Sequence, residues 1–130
     1  MAWDDNRAGR GDRMRRKVLG DAHVDRSMAS KTAFSSAFQD YVTQAAWGDI
    51  WTRPGLSPRD RSMIVLAVTC ALGAWDEFRL HLRGAVNNGL TLEEIRETLM
   101  QCAVYAGVPR ANSAFKEAAP ILKELGVPGA

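Results

Sequence analysis

The chain has 130 residues, 46% of them apolar and 25% charged, which is typical of one globular domain with a single core. Its 17 basic and 15 acidic residues leave a formal net charge of +2, too balanced to indicate nucleic-acid binding. The longest apolar run, Met63 to Leu72, is far shorter than the roughly 20 residues that a membrane-spanning helix needs, and no signal-peptide pattern precedes it. We therefore expect a cytoplasmic protein with neither a membrane nor a nucleic-acid partner.

The N-terminal segment MAWDDNRAGRGDRMRRK mixes Arg, Gly and Asp without a hydrophobic period. Such a composition is typical of a solvated chain end. We expect residues 1–13 to form a flexible tail and residues 14–130 to form a single all-helical domain.

Helical periodicity dominates the remaining sequence, and no stretch alternates apolar and polar residues as a strand does. Residues 14–28 predict one or two short helices with a break near Gly20. Residues 31–46 predict a helix with an apolar stripe that packs on the core, formed by Phe34, Ala37, Phe38, Tyr41, Val42 and Ala45. Residues 47–56 combine glycine and proline breaks with two tryptophans, which predicts an ordered connector.

A helix that is apolar on every side follows this connector. Ser57 and Pro58 are typical of a helix start, and the body of the helix reads MIVLAVTCAL. A helix of this kind has to be covered all round, which a small domain does not easily achieve alone. We therefore infer that the chain assembles into a homo-oligomer.

Three more helices complete a compact all-α fold of about six helices. The first begins near Trp75 and ends at Asn87-Asn88-Gly89. The second begins with the capping-box pattern of Thr91 and Glu94 and reaches about Tyr105. Gly107 and Pro109 end it, and residues 110–125 predict the last helix, with a kink at Pro120.

A line of polar residues accompanies the core stripe of the helix WDEFRLHLRGAVNN. Glu77, His81, Gly84 and Asn88 are spaced at i, i+4, i+7 and i+11, and Gly84 leaves room for a small molecule beside His81. If this line faces a pocket, His81 can transfer a proton while Glu77 orients its ring. An ordinary surface pair explains the same spacing equally well, and the pattern alone does not decide between the two.

No other reactive motif accompanies this histidine. Cys70 and Cys102 stand in apolar stretches without a Cys-x-x-Cys pattern, so we interpret them as buried, reduced thiols. The sequence has no nucleophile motif, phosphate-binding glycine loop or metal-ligand cluster. The residues therefore predict acid–base chemistry without a metal or a cofactor.

The segment from Leu56 to Phe115 resembles the carboxymuconolactone decarboxylase family, and the match extends in outline from about Val18 to Leu125. Four features carry the resemblance together: Arg59-x-Arg61, Glu77-x-x-x-His81, the turn Asn-Asn-Gly-Leu-Thr and the element Tyr105-Ala-Gly-Val-Pro109.

One branch of this family consists of peroxidase-like proteins with a Cys-x-x-Cys on the helix that bears the histidine. The matching positions here hold Ala74 and Glu77, and the glutamate that the redox members often carry after the second arginine is Ser62. Thiol–disulfide chemistry needs two thiols within reach of each other, so it is not expected here. The resemblance therefore implies the decarboxylase branch.

For that branch the resemblance implies a ring-like homo-oligomer, a hexamer, that acts without a cofactor. The implied substrate is a small unsaturated lactone that carries a carboxylate and an acetate arm. The implied products are the β-ketoadipate enol-lactone and carbon dioxide, in protocatechuate catabolism. His81 is expected to donate the proton or stabilise the oxyanion, with Glu77 orienting it.

The two carboxylates of the implied substrate are expected to bind guanidinium groups. Arg59 and Arg61 are the leading candidates, followed by Arg53 and Arg83. Tyr105 is expected to close the pocket or donate a hydrogen bond. A plain ion pair is the alternative role for each arginine, and packing is the alternative for Tyr105. Other interpretations of the whole protein stay open: a family member acting on another lactone or keto acid, or a non-catalytic helical oligomer that binds small acids.

Overall fold

The computed structural model of the protein describes residues 3–130, in which helices are joined by turns and no strand is present. Seven α-helices and one π-helical segment are present among these residues: α1 (Asp5–Leu19), α2 (Asp21–Ala29), α3 (Ser36–Tyr41), the π-helical segment (Val42–Ile50), α4 (Pro58–Leu72), α5 (Trp75–Asn87), α6 (Leu92–Tyr105) and α7 (Val108–Glu124). The predicted all-α class is confirmed. Every helix in the described part is too short or too polar to cross a membrane.

The described helices group into two compact units. The N-terminal unit ends at Pro58, and the C-terminal unit comprises Arg59–Ala130. Each unit is held together by its own helix packing: α1 packs on the π-helical segment in the first, and α7 packs on α5 and α6 in the second.

The expected N-terminal tail is helical from Asp5 onward, so the structure differs from the prediction for most of residues 1–13; residues 1 and 2 lie outside the described part. The Asp4 carboxylate accepts hydrogen bonds from the backbone N–H groups of Asn6 and Arg7, at 2.9 and 3.1 Å. Such a cap satisfies donors that the first turn of a helix leaves open. This stabilises a helix that the hydrophobic pattern does not indicate.

Close backbone packing holds α1 against the π-helical segment. A Cβ atom at Gly11 would lie 1.9 Å from the carbonyl oxygen of Thr43, and one at Gly48 would lie 2.5 Å from the carbonyl oxygen of Arg7. Both crossings therefore require glycine. Arg7 also binds Asp49 through two hydrogen bonds, of 3.1 Å from Nε and 2.6 Å from Nη2.

The helix predicted for residues 31–46 begins at Ser36 and continues as the π-helical segment to Ile50. The prediction that its apolar stripe packs on a core is wrong for the aromatic residues Phe34, Phe38 and Tyr41, which are 97%, 56% and 52% exposed. The buried positions are Thr43, Gln44, Trp47 and Gly48. Helix α1 packs on the π-helical segment, which follows these aromatic residues, so the buried face lies C-terminal to them.

The connector between the two units is shorter than predicted because the π-helical segment includes Trp47 to Ile50. Trp47 and Trp51 are buried, and their rings stack with centroids 4.8 Å apart. Ile50, between the two tryptophans, is exposed.

A single apolar cluster forms the core of the C-terminal unit. Its members come from all four helices and one turn: Leu66, Cys70, Phe78, Leu82, Ala85, Leu90, Ile95, Leu99, Cys102, Ala114, Ala118, Ile121 and Leu122. Both cysteines are free thiols in this core, as predicted. Burial raises the pKa of the Cys70 thiol to about 11, so it stays protonated at neutral pH.

Predicted helix boundaries in this unit agree with the structure except at α7. The capping box of Thr91 and Glu94 is present at the start of α6, and Gly89 follows α5 with a φ of +89°. Helix α7 begins at Val108, earlier than the predicted residue 110, because Pro109 lies in its first turn, where the missing N–H has no helical partner to lose. Pro120 lies inside α7.

Candidate active site

Helix α5 carries the residues predicted to do the chemistry, and its core face fixes its orientation. Phe78, Leu82 and Ala85 on that face are fully buried. The ring of Trp75 packs edge-on against Phe78, with centroids 5.6 Å apart. The turn before α5 depends on Gly73, whose φ is +67°. These contacts determine which way the polar line of α5 points.

The polar line of α5 runs from solvent into the unit. Glu77 is exposed, whereas His81, one turn further along, is partly buried and its Nδ1 atom is fully covered. Gly84 is buried and Asn88, which caps the end of the helix, is partly buried. His81 is therefore neither an exposed surface residue nor enclosed in the apolar core, an environment compatible with a role in proton transfer.

Asn88 joins the end of α5 to the beginning of α4. Its Nδ2 donates a hydrogen bond of 2.8 Å to Oγ of Ser62, a fully buried hydroxyl. Asn88 lies seven residues after His81, and a helix rises about 1.5 Å per residue. The bond therefore lies about 10 Å from His81 along the axis of α5. Arg61 precedes Ser62 in α4 and therefore lies near the Asn88 end of the polar line.

Arg59, the first of the two predicted carboxylate ligands, is in an ion pair. Its Nη2 donates a hydrogen bond to Oε1 of Glu94, in the first turn of α6. The same Oε1 accepts a 2.9 Å hydrogen bond from the backbone N–H of Thr91. The hydrogen bond from Arg59, followed by those from Thr91, lowers the pKa of Glu94 to about 2, so this carboxylate is ionised at every physiological pH. Sequence reasoning identified Glu94 as part of a capping box but missed Arg59 as its partner.

The other predicted binding residues lie in different surroundings. Arg61 is partly buried, with its Nε atom covered. Arg53 belongs to the N-terminal unit and is exposed. Tyr105 is 82% exposed at the end of α6. Arg83, a further candidate, donates a 2.8 Å hydrogen bond to Glu124 on the surface.

An open apolar groove of about 790 Å³ runs between α4 and α6 in the C-terminal unit. It is lined by Met63, Ile64, Ala67, Val68, Ala71, Glu93, Glu94, Glu97, Thr98, Gln101, Cys102, Tyr105 and Ala106. His81 and Glu77 are not among these residues. The structure therefore groups Tyr105 with the groove rather than with the histidine.

Within residues 3–130, no group of three or more His, Cys, Asp or Glu side chains is arranged to hold an ion. The chemistry that the described side chains can supply is proton transfer from imidazole, hydrogen bonding and binding of anions by guanidinium groups.

The sequence profile of the Carboxymuconolactone decarboxylase family matches residues 36–120. The chain is 42% identical over 124 residues to 4-carboxymuconolactone decarboxylase of Acinetobacter baylyi, an alignment that covers 95% of this chain and 92% of that protein. It is also 42% identical over 105 residues to nitrosuccinic acid decarboxylase of Metarhizium robertsii, covering 81% of this chain and 73% of that protein. The chain belongs to the carboxymuconolactone decarboxylase family, which confirms the resemblance predicted from its motifs.

Proposed function

We propose that this protein is a cofactor-independent decarboxylase that converts 4-carboxymuconolactone to the β-ketoadipate enol-lactone and carbon dioxide in protocatechuate catabolism. The observation that carries the proposal is the 42% identity to the A. baylyi enzyme across almost the whole of both chains. Helix α5 adds a partly buried imidazole on the family's histidine motif. Ala74 and Glu77 stand where the peroxidase-like branch has its two cysteines, which supports the decarboxylase branch.

This substrate carries its own electron sink, so the reaction needs no cofactor to hold the electron pair. The bond between the γ-carbon and the carboxylate breaks, and its electron pair moves through the ring double bond to the lactone carbonyl oxygen. The resulting dienolate takes one proton at the α-carbon, which shifts the double bond to the enol-lactone position. The protein has to stabilise one oxyanion and deliver one proton.

His81 is the proton donor or oxyanion partner in this proposal, and Glu77 orients it. The partial burial of His81 supports the assignment, because a donor that is shielded from water interacts more strongly with developing charge. A donor aimed at a developing oxyanion typically contributes about a hundredfold to a thousandfold in rate. One histidine is therefore sufficient to account for a large part of the catalysis.

Arg59, Arg61 and Arg53 are the proposed ligands of the substrate carboxylates, and Tyr105 is proposed to close the pocket or donate a hydrogen bond. The acetate arm is the better anchor for a guanidinium group. The departing carboxylate loses its charge in the transition state, so tight binding of that group would stabilise the ground state more than the transition state.

We further propose that the chain acts in the cytoplasm as a ring-like homo-oligomer, a hexamer. Apolar surface supports an assembly: on α4, Ile64, Val68 and Leu72 are 50%, 48% and 69% exposed, and Ile64 and Val68 line the apolar groove. Large contiguous apolar patches on soluble proteins commonly mark interfaces. Sedimentation analysis of the purified protein tests this part of the proposal.

A second candidate substrate is a nitro-substituted dicarboxylic acid such as nitrosuccinate. The 42% identity to the M. robertsii enzyme favours it, over a shorter part of the chain. A nitro group accepts the electron pair that decarboxylation releases, as the conjugated lactone does, so the same proton donor and guanidinium groups would serve. The ratio of kcat/KM for the two substrates decides between them.

The proposed function is tested by following loss of the lactone by ultraviolet absorbance, with a chelator present and no cofactor added. Wild-type protein should turn over, and His81→Ala should lose about a hundredfold to a thousandfold in kcat. His23→Ala is the matched control, since this second histidine lies in α2 of the N-terminal unit and should be dispensable. Equal rates for wild type and His81→Ala, or a requirement for a metal or a thiol reductant, would contradict the proposal.

A further inference from the structure

The ion pair of Arg59 and Glu94 links the first turns of two helices in the C-terminal unit. Arg59 lies in the first turn of α4, and Glu94 is the third residue of α6. The side chain of Arg59 is 37% exposed and that of Glu94 is 30% exposed, so both members of the pair remain partly accessible to solvent.

We propose that Glu94 is a positioning residue for substrate binding, which holds the guanidinium of Arg59 in the orientation that receives the distal carboxylate of the substrate. The inference rests on the proposed function and assigns the role of anchor to Arg59 among the candidate arginines. Glu94 does not touch the substrate in this arrangement; it acts through Arg59.

The capping box is what makes Glu94 a rigid support. Its Oε1 accepts a hydrogen bond of 2.9 Å from the backbone N–H of Thr91, while Oγ1 of Thr91 accepts one of 3.2 Å from the backbone N–H of Glu94. The carboxylate is therefore fixed to the helix start from which it projects. A binding group supported by a regular element is placed more accurately than one supported by a loop.

The ion pair leaves part of the Arg59 side chain accessible to a second anion, since 37% of it is exposed. Glu94 accepts a hydrogen bond from Nη2 of the guanidinium. An arginine presents five N–H donors in a planar arrangement that matches a carboxylate. Because Glu94 already balances the charge of Arg59, its main contribution is orientation rather than added attraction. Loss of Glu94 should therefore weaken substrate binding moderately and leave the chemical step intact.

The test is a double-mutant cycle on KM and kcat for the lactone, with thermal unfolding measured in parallel. Glu94→Ala should raise KM about threefold to tenfold with kcat within about twofold of wild type. Glu94→Gln, which keeps an acceptor for Arg59 and suits the third position of a capping box, should restore most of the loss. Arg59→Ala should raise KM at least as much, and the double variant should resemble Arg59→Ala alone.

A matched control comes from the neighbouring acid. Glu93→Ala removes a carboxylate from the same helical turn, one that pairs only weakly with Arg96 at 3.8 Å. Its KM should equal that of wild type. A role confined to helix capping would lower the melting temperature of Glu94→Ala and leave its KM unchanged.

Three outcomes would overturn the inference while the proposed function stands: an unchanged or lower KM for Glu94→Ala, additive effects of the two substitutions, or a normal KM for Arg59→Ala. A lower KM would show that Glu94 competes with the substrate for the arginine. Wild-type protein that does not turn over the lactone at all would instead overturn the proposed function, and this inference with it.

Discussion

Nδ2 of Asn88 donates a 2.8 Å hydrogen bond to Oγ of the fully buried Ser62, and this bond connects the end of α5 to the beginning of α4. Ser62 stands at the position where redox members of the family often have a glutamate. A neutral hydroxyl at this buried position accepts a hydrogen bond from the amide group of Asn88 without placing an uncompensated charge in the core.

The Ser62–Asn88 bond should contribute measurably to stability. Ser62→Ala removes the acceptor from a buried amide donor, which typically costs about 1–3 kcal/mol of unfolding free energy. Urea unfolding followed by circular dichroism measures the change. Ser113→Ala, at a partly buried serine of α7, is the control and should have a small effect. Equal stabilities of the two variants would contradict the importance of the bond.

Two glycines of α1 should respond to alanine in opposite directions. A Cβ at Gly11 would lie 1.9 Å from the Thr43 carbonyl oxygen, so Gly11→Ala must separate α1 from the π-helical segment and should cost about 3 kcal/mol or more. At Gly9 the nearest atom is the flexible end of Arg13, 3.3 Å away. Gly9→Ala should therefore be neutral or stabilising by up to about 1 kcal/mol, because alanine favours the helix. Thermal unfolding of both variants checks the prediction, and a Gly11→Ala protein as stable as wild type would contradict it.

Most helix boundaries of the C-terminal unit could be predicted because the sequence signals that mark them are local. A threonine and a glutamate three residues apart satisfy backbone groups of one helix turn, so Thr91 and Glu94 indicate a helix start by themselves. Gly89 similarly indicates the end of α5, because its φ of +89° is a conformation that other residues rarely adopt. These features need no knowledge of tertiary structure.

The predictions that were wrong in the N-terminal unit concern features that depend on contacts between elements rather than on local sequence signals. Helix α1 exists despite a weak hydrophobic pattern because the backbones of Gly11 and Gly48 approach a neighbouring segment closely, and that approach depends on which elements meet. The π-helical segment likewise changes the side-chain period in a way that a 3.6-residue pattern does not anticipate. Phe38 lies in α3, before this segment, and is exposed although the predicted apolar stripe includes it.

Within the candidate site, the histidine and its helix could be predicted, but the partners could not. The i, i+4 spacing of Glu77 and His81 follows from the sequence alone. The pairing of Arg59 with Glu94 joins residues 35 positions apart and depends on two helix starts lying side by side. Only the tertiary arrangement reveals such a contact.

Both cysteine thiols should be unreactive in the folded protein. Cys70 and Cys102 are buried, and burial raises the pKa of Cys70 to about 11, so very little thiolate is present at neutral pH. Alkylation by iodoacetamide at pH 8 should be slow for native protein and fast for protein unfolded in guanidinium chloride, with two thiols modified per chain in the unfolded sample. Rapid native labelling would show that the core around α4 opens readily.

The Arg59–Glu94 pair should make the C-terminal unit sensitive to acid over a defined range. The pKa of Glu94 is lowered from 4.5 to about 2, chiefly by the hydrogen bond from Arg59. A depressed pKa stabilises the fold at pH values above about 4.5, and the contribution is lost as the pH falls towards 2. Wild type should therefore exceed Glu94→Gln in melting temperature at pH 7, and the difference should shrink between pH 4.5 and pH 2.5.

Glu93→Gln is the control for acid sensitivity in general, because Glu93 is highly exposed. A difference between wild type and Glu94→Gln that stays constant across this range would show that the charge of Glu94 does not stabilise the fold.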